Sequence, residues 1–359
     1  MTLFGLLFGF TLGLVSPQTA DIVFAGDAMQ HEKQLNAAKR TGNVYDFSDY
    51  YKGIEPYIKS ADLAVVNLET PIAGAPYSGY PCFNAPDSYL AQLKTSGFDF
   101  ILAANNHTLD RRDRGLRGTI DRLNAEGLPY VGIYRNRAER DSVCPVVCDV
   151  NGFKIAFLNY TYGTNGIPVQ GDVVVDYIDR KQIAEDVRKA KDSGAEIIAA
   201  CMHWGIEYVL LPNQEQKQLA DFLEDQGVDL IIGGHPHVIQ PMEMRYNRKY
   251  DKKVFVVYSL GNFVSAMKKD DTQGGAMVRV RLRRDDSGRA VVDTATYRLV
   301  FVTHPSASDK SYRVLPAEGP MPVQWMGARE RFVSRARNIF EKYNKNVPAD
   351  TAAIDSYME

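Results

Sequence analysis

The sequence predicts an α/β protein. Three observations carry that reading. Short β-branched runs alternate with amphipathic stretches along the chain, most of those runs stop at a glycine or a polar cluster, and one Asn-Gly dipeptide separates two apolar runs as a hairpin turn does. At 359 residues, 45% hydrophobic and 24% charged, the chain has the composition of a globular protein with a sizeable core.

Taken in order, Asp21–Ala25 is a short apolar strand that runs into Gly26-Asp27, and the stretch to Tyr57 is helical in parts. Leu63–Val66 is a second strand, leading to Asn67-Leu68-Glu69-Thr70-Pro71, where the proline ends regular structure. Residues 81–86 read as a loop, and Asp87–Ser96 as a helix that Asp87 caps and Gly97 stops. Phe100–Ala103 is the third strand and Arg117–Ala125 an amphipathic helix closed by Gly127. After a short strand at Tyr130–Gly132, the runs Val143–Val150 and Phe153–Tyr160 flank Asn151-Gly152, a type I′ signal, so the sheet turns antiparallel there. Lys181–Ser193 and Gln214–Gln226 are helices, and Ile197–Met202, Val228–Ile232 and Val254–Tyr258 are strands. Gly275–Leu282 and Ala290–Val302 alternate like an antiparallel pair. The organisation is then a hydrophobic segment over residues 1–20, a main domain over 21–303, and a small C-terminal extension over 304–359 with a helix from about Val323 to Tyr343.

Charge excludes some functions. A net charge of −2 and a pI near 6.3 leave no global attraction for nucleic acid, so no nucleic-acid partner is expected and an anionic substrate must be held by local groups. The apolar run Met1–Val15, followed by Ser16-Pro17-Gln18-Thr19-Ala20, resembles a signal peptide with cleavage after Ala20, although no Lys or Arg precedes it. Export to the periplasm or cell envelope is the expectation. Of the four cysteines, Cys144 and Cys148 sit too far apart on one strand to bridge, and Cys201 reads as a buried strand residue.

Chemistry concentrates where strands end. The run Val228–Ile232 closes on Gly233-Gly234-His235-Pro236-His237, which sets two imidazoles two residues apart on a loop stiffened by proline. Asp27 follows the first strand, Glu69 the second, Asn106 and His107 the third, and His203 a later one. Ligand sites in open α/β sheets lie at the carboxyl ends of strands, so one cleft collects them. Mixed carboxylate, amide and imidazole donors suit a divalent ion such as Mn²⁺, Fe²⁺ or Zn²⁺.

Six segments in this order, Gly26-Asp27, Asn67-Leu68-Glu69-Thr70-Pro71, Asn105-Asn106-His107, His203-Trp204-Gly205 with Glu207, Gly234-His235-Pro236-His237-Val238 and Ser259-Leu260-Gly261-Asn262-Phe263, resemble the CapA/PgsA family of bacterial capsule, or poly-γ-glutamate, synthesis proteins. That family lies within the calcineurin-like metallophosphoesterase superfamily. The resemblance spans about residues 21 to 303. It implies a four-layer α/β/β/α sandwich, two mixed sheets with helices outside, and one or two divalent metal ions. In it Glu69 bridges, one ion adding Asp27 and His237 and the other Asn106, His203 and His235, while His107 serves as acid/base. Two such ions would share a nucleophile and clamp the transition state's oxygens. The chain departs from phosphatases at Asp27-Ala28-Met29, where the superfamily has Asp-x-His, and at Glu69, where it has Asp. His31 either compensates or lies on a helix face.

Other candidates stay open between two roles. Glu207 is an acid/base, a partner to a ligand imidazole, or a surface carboxylate. Asn262 faces the cleft or belongs to a turn. The loop Tyr160–Gly166, with Tyr162 and Asn165, resembles the family's Tyr/Asn/Gly loop and would form one wall. Arg111, in the cluster Arg111-Arg112-Asp113-Arg114, either recognises substrate anions or starts a solvated helix. Asn105, Arg111, Tyr162, Asn165 and Asn262 make the candidate substrate-binding set, and His107 and Glu207 the candidate catalytic pair; His304 reads as structural. The implied function is a metal-dependent hydrolase or transferase acting on an anionic polymer or peptide, poly-γ-glutamate foremost, with membrane-bound capsule synthase subunits as the partners the resemblance implies. The alternatives are a general phosphoesterase and a non-catalytic subunit of a membrane synthase complex.

Overall fold

The computed structural model describes residues 18–351, and its first sheet is built around the strand that carries Asp27. That strand, β1 (Thr19–Ala28), is buried along almost its whole length because both of its faces are covered. The chain continues through α1 (Glu32–Ala38), α2 (Glu55–Lys59), β2 (Leu63–Leu68), α3 (Asp87–Thr95), β3 (Phe100–Leu102), α4 (Arg112–Glu126) and β4 (Tyr130–Val131). β2, β3 and β4 add in parallel on one side of β1, each reached through a helical crossover.

A second sheet follows. β5 (Ile133–Tyr134) and α5 (Arg137–Val143) lead to the hairpin of β6 (Val146–Val150) and β7 (Phe153–Thr161). Then come β8 (Val174–Val175), α6 (Arg180–Asp192), β9 (Ile197–His203), α7 (Gln214–Gln226), β10 (Leu230–Gly234), β11 (Met242–Asn247) and β12 (Lys252–Val257). The order is β11-β12-β10-β9-β7-β6, with the four inner strands parallel and an antiparallel strand at each edge. The chain then returns to the first sheet. β13 (Asn262–Val264) pairs in parallel with the end of β1, while β14 (Gly274–Arg284), β15 (Ala290–Thr303) and β16 (Arg313–Pro316) extend its other side antiparallel. α8 (Val323–Tyr343) closes the described chain.

Strand alternation sorts the apolar side chains into layers. Ile22 and Phe24 of β1 and Ile155 and Phe157 of β7 meet in one core between the sheets, joined by Phe332, Ala336 and Phe340 of α8. Their neighbours Val23 and Ala25 face Leu90 and Leu93 of α3 and Leu116 and Ile120 of α4. On the other side Ala156 and Leu158 face Ile183 and Val187 of α6 and Leu219 and Leu223 of α7.

Several expected details change. Asp87 does not cap its helix: Pro86 takes that position with extended backbone and Asp87 becomes the first helical residue, where its charge still favours the amino end. α4 starts five residues before the expected Arg117, and Gly127 ends it in the left-handed region at φ 64°. Val143 and Cys144 belong to the end of α5, started by Asn136 accepting from the Glu139 amide, so the hairpin strand begins only at Val146. The turn has φ of 50° at Asn151 and 79° at Gly152, the pair a type I′ turn demands. The edge strand β11 is an addition to the expected strands, although Met242-Glu243-Met244-Arg245-Tyr246-Asn247 alternates apolar and polar residues.

The apolar run Met1–Val15 lies outside the described residues, and the expected cleavage point after Ala20 falls inside β1, where Thr19 and Ala20 pair with Arg283 and Leu282. Among the described residues no helix is long and apolar enough to cross a membrane. All four cysteines are free.

Candidate metal centre

Parallel strands present their carboxyl ends on one edge, and here the edges of both sheets converge. The first sheet brings Asp27 from β1, Glu69 from just beyond β2, and Asn106 and His107 from the loop after β3; the second brings His203 from the end of β9 and His235 and His237 from the loop after β10. Glycines let backbones crowd these strand ends, and Gly234 does so between the two sheets. A Cβ on Gly26 would sit 2.0 Å from the carbonyl oxygen of Gly261, one on Gly233 2.0 Å from that of Tyr258, and one on Gly234 2.8 Å from Asp27 Oδ1.

The histidine loop is held in an uncommon backbone. His235 has φ 98° and His237 φ 57°, and such conformations persist only where the surroundings impose them. Asp27 Oδ2 accepts the His235 N–H at 3.2 Å, and Asn262 Nδ2 donates to the His237 carbonyl at 3.3 Å while Asn262 Oδ1 lies 3.1 Å from His237 Nδ1.

Six donor residues are buried together. Asp27 Oδ2 is 3.4 Å from His237 Nδ1, and Glu69 Oε1 is 3.8 Å from His237 Nε2 and 3.7 Å from His203 Nε2. His203 Nε2 lies 2.9 Å from Asn106 Oδ1. Burial, and next the charge of Asp27, push the Glu69 carboxyl well above the usual carboxylate range. Burial also opposes charge on Asp27, yet the His237 hydrogen bond and the charges of His203 and His237 hold its carboxyl at about 2. Burial, then the neighbouring His235, drives His203 well below the ordinary imidazole value, and burial, then His237, takes His235 to about 3. These rings are neutral lone-pair donors at pH 7.

Two buried acceptors have no partner: Glu69 Oε1 and His235 Nδ1. A buried carboxyl oxygen among imidazole nitrogens, with no hydrogen bond made to it, fits a divalent cation. The donors form two groups, Asp27, Glu69 and His203, and Glu207, His235 and His237, the ligand atoms of each lying within 4.8 Å of one another. Exposed Glu207 thus stands beside the histidine loop.

Sequence reasoning missed two residues. Asn67 Nδ2 donates to Asp27 Oδ1 at 2.8 Å and to Glu69 Oε2 at 3.3 Å, fixing both carboxylates. Asp110 Oδ2 lies 2.8 Å from His107 Nδ1, a buried carboxylate–imidazole pair whose three-residue spacing in the sequence was its one available signal. The Phe83 ring stands edge-on to His107 at 4.6 Å.

The substrate candidates separate. Tyr162 is half exposed and its ring lies 4.5 Å from that of His235, over the centre. Asn165 Oδ1 accepts from Asn106 Nδ2 at 3.2 Å, and its own amide is 3.5 Å from His107 Nδ1. Asn105 is buried, donating to Asn67 Oδ1 and the Leu68 carbonyl, so its contacts set Asn67 in place. Asn262 likewise orients His237. Arg111 donates to Ser78 Oγ at 2.6 Å and to the Pro76 carbonyl at 3.2 Å. His31 is the N-cap of α1, with Nδ1 3.4 Å from the Ala266 N–H.

Comparison with known proteins identifies the family. The chain is 26% identical over 342 residues to the capsule biosynthesis protein CapA of Bacillus anthracis, covering 90% of this chain and 80% of that one. It is 28% identical over 276 residues to the PGA biosynthesis protein CapA of Bacillus subtilis, covering 74% and 68%. Among solved structures, a Haemophilus influenzae NAD nucleotidase aligns at TM-score 0.48 and 12% identity over 93% of this chain and 57% of that one. A putative 5′-nucleotidase from Staphylococcus aureus aligns at 0.44 and 16% over 88% and 58%. A family model described as bacterial capsule synthesis protein PGA_cap matches residues 21–267, and the chain belongs to that family.

Proposed function

We propose that the chain is an exported, metal-dependent enzyme of the cell envelope that cleaves or transfers a bond in an anionic capsule polymer, poly-γ-glutamate or a related peptide. The observation that carries this reading is the buried set of Asp27, Glu69, His203, His235 and His237 with two acceptor atoms left unpartnered. Asn106 completes the set, and Glu207 is placed to join it from the exposed side.

A bound divalent ion supplies Lewis-acid chemistry at such a centre. The chain's own groups do the rest. Asp110 occupies Nδ1 of His107 and so leaves Nε2 as the atom that exchanges a proton, the arrangement of a general acid/base held in one tautomer. Asn165 stands by that ring, and Tyr162 covers the imidazoles from solvent. The apolar N-terminal run and the capsule biosynthesis relatives support an envelope location.

Metal content by elemental analysis of the full chain tests the reading, together with a His235→Ala/His237→Ala double variant and assays on poly-γ-glutamate and on a chromogenic phosphodiester. One or two ions per chain, lost in the variant, with turnover of the polymer, is the expected result. No ion after reconstitution with Mn²⁺, Fe²⁺ or Zn²⁺ overturns it and leaves a non-catalytic subunit; turnover of the phosphodiester alone favours a general phosphoesterase.

A further inference from the structure

An open groove of about 630 Å³ lies outside the donor set, bordered by Lys33, Lys39, Arg40, Lys268, Lys310 and His304. None of its lining residues is acidic. Among the described residues Lys33, Lys39 and Lys268 form no ion pair; Lys310 Nζ is held by the Ser306 carbonyl at 3.1 Å, and Arg40 Nε lies 3.6 Å from Asp46 Oδ2. Four lysines without a counter-charge on one concave surface repel one another, an arrangement that favours an anion between them.

His304 is a second, independent sign. It is 4% exposed, lines the groove, and neither ring nitrogen has a partner. Its ring packs against Tyr312 at 5.0 Å and Trp325 at 5.6 Å. A buried neutral imidazole must carry one N–H, and an unmade hydrogen bond from it costs free energy unless a visiting acceptor takes it. Sequence reading left this histidine as structural.

The groove adjoins the metal centre. Lys33 lies in the first turn of α1 and Lys39 is its C-cap, that helix following Asp27 by a few residues, and Lys268 follows β13, whose Asn262 holds His237. The Ala266 N–H and His31 tie these two walls together. On the other side His31 packs against the Phe83 ring at 5.1 Å, and that ring stands 4.6 Å from His107, so His31 lies between the two regions.

We propose that this groove binds a stretch of a polycarboxylate chain, with the lysines pairing its side-chain carboxylates and His304 donating to one of them, and guides the polymer to the metal centre. Spaced lysines act as point charges suited to a flexible chain of separate carboxylates, whereas bidentate recognition of a phosphate favours arginine forks, of which the groove has one. The proposal rests on the substrate reading above but not on its chemistry.

The test is binding of fluorescent poly-γ-glutamate to the full chain, titrated at several salt concentrations, with metal content measured in parallel. Comparisons are a Lys33→Gln/Lys39→Gln/Lys268→Gln triple variant and His304→Phe, which keeps the ring packing and removes the donor. The expected result is a tenfold or greater loss of affinity and a shallower salt dependence in the triple variant, a several-fold loss in His304→Phe, and unchanged metal content in both. Parent-like affinity in the triple variant overturns the proposal, as does a parent that binds polyphosphate as tightly as polyglutamate. Lost polymer affinity with intact metal content supports the groove; a parent that binds the polymer but holds no metal condemns the metal reading and leaves the groove standing.

Discussion

Two buried polar clusters sit in this protein, and they are balanced in opposite ways. In the second sheet's outer layer, Arg140 is 1% exposed, yet it pairs with Asp176 through Nε and with Asp186 through Nη2 at 2.5 Å. Tyr134 donates to Asp176 at 3.1 Å, and Tyr160 and Gln182 donate to Asp186 at 2.9 and 3.0 Å. Every charge there meets its opposite. At the strand-end edge the carboxyl groups of Asp27 and Glu69 face the rings of His203 and His237 with no lysine or arginine among them, and Glu69 Oε1 and His235 Nδ1 remain without a partner. A cluster that satisfies itself serves the fold; a cluster that is equally buried and incomplete is built for something brought from outside.

Breaking the complete cluster has the largest effect. Arg140→Met leaves Asp176 and Asp186 buried without their cation, and urea unfolding is expected to show a loss of about 3–5 kcal/mol with the ion-binding capacity of the surviving folded protein unchanged. A loss under 1 kcal/mol would dissolve the contrast.

His304 offers an intermediate case, one buried group with no partner. Burial, then the charges of Lys268 and Lys33, lowers its imidazole to about 4 from an ordinary 6.5. The folded chain therefore binds fewer protons than the unfolded chain between those values, so its stability is whole above pH 6.5 and drains as pH falls toward 4. Relative to His304→Phe, the parent is expected to lose about 2 kcal/mol between pH 8 and pH 5, measured by denaturant melts; parallel pH profiles for the two proteins would refute this.

The smallest effect has the opposite sign. In metal-free protein at pH 8, Glu69→Gln removes a buried carboxylate whose Oε1 has no partner, and a gain of about 1–2 kcal/mol is expected. The same variant forfeits the rise in melting temperature that Mn²⁺ gives the parent. Destabilisation of the metal-free form would mean that Glu69 is already satisfied within the fold.

How much of this could be read from residues alone follows from the range of the interactions. The α/β class rests on local period and punctuation, so the strands ending at Asp27, His203 and Gly234 and the Asn151-Gly152 turn were legible. The donor residues were legible too, because each sits at the end of an apolar run. Arg140 was not: Arg137-Ala138-Glu139-Arg140-Asp141 has the charge of a solvated helix, and only Asp176 and Asp186, far along the chain, make one of those arginines internal. The groove was equally hidden, since Lys33, Lys268 and Lys310 become neighbours only when β1, β13 and the segment after β15 are laid together. Asn67 and Asp110 stood inside or beside noticed motifs, but their roles depend on the direction of a hydrogen bond.

The glycine contacts at the seam reach beyond local fit. Asp27, Glu69, Asn106 and His107 hang from one sheet, and His203, His235 and His237 from the other; the first sheet is itself assembled from both ends of the described chain, with the second inserted between them. Neither sheet owns a working set of donors. Assembly of the centre is thus the same event as the meeting of the sheets, and a proteolytic cut that lets them part disarms the centre even with every donor residue intact.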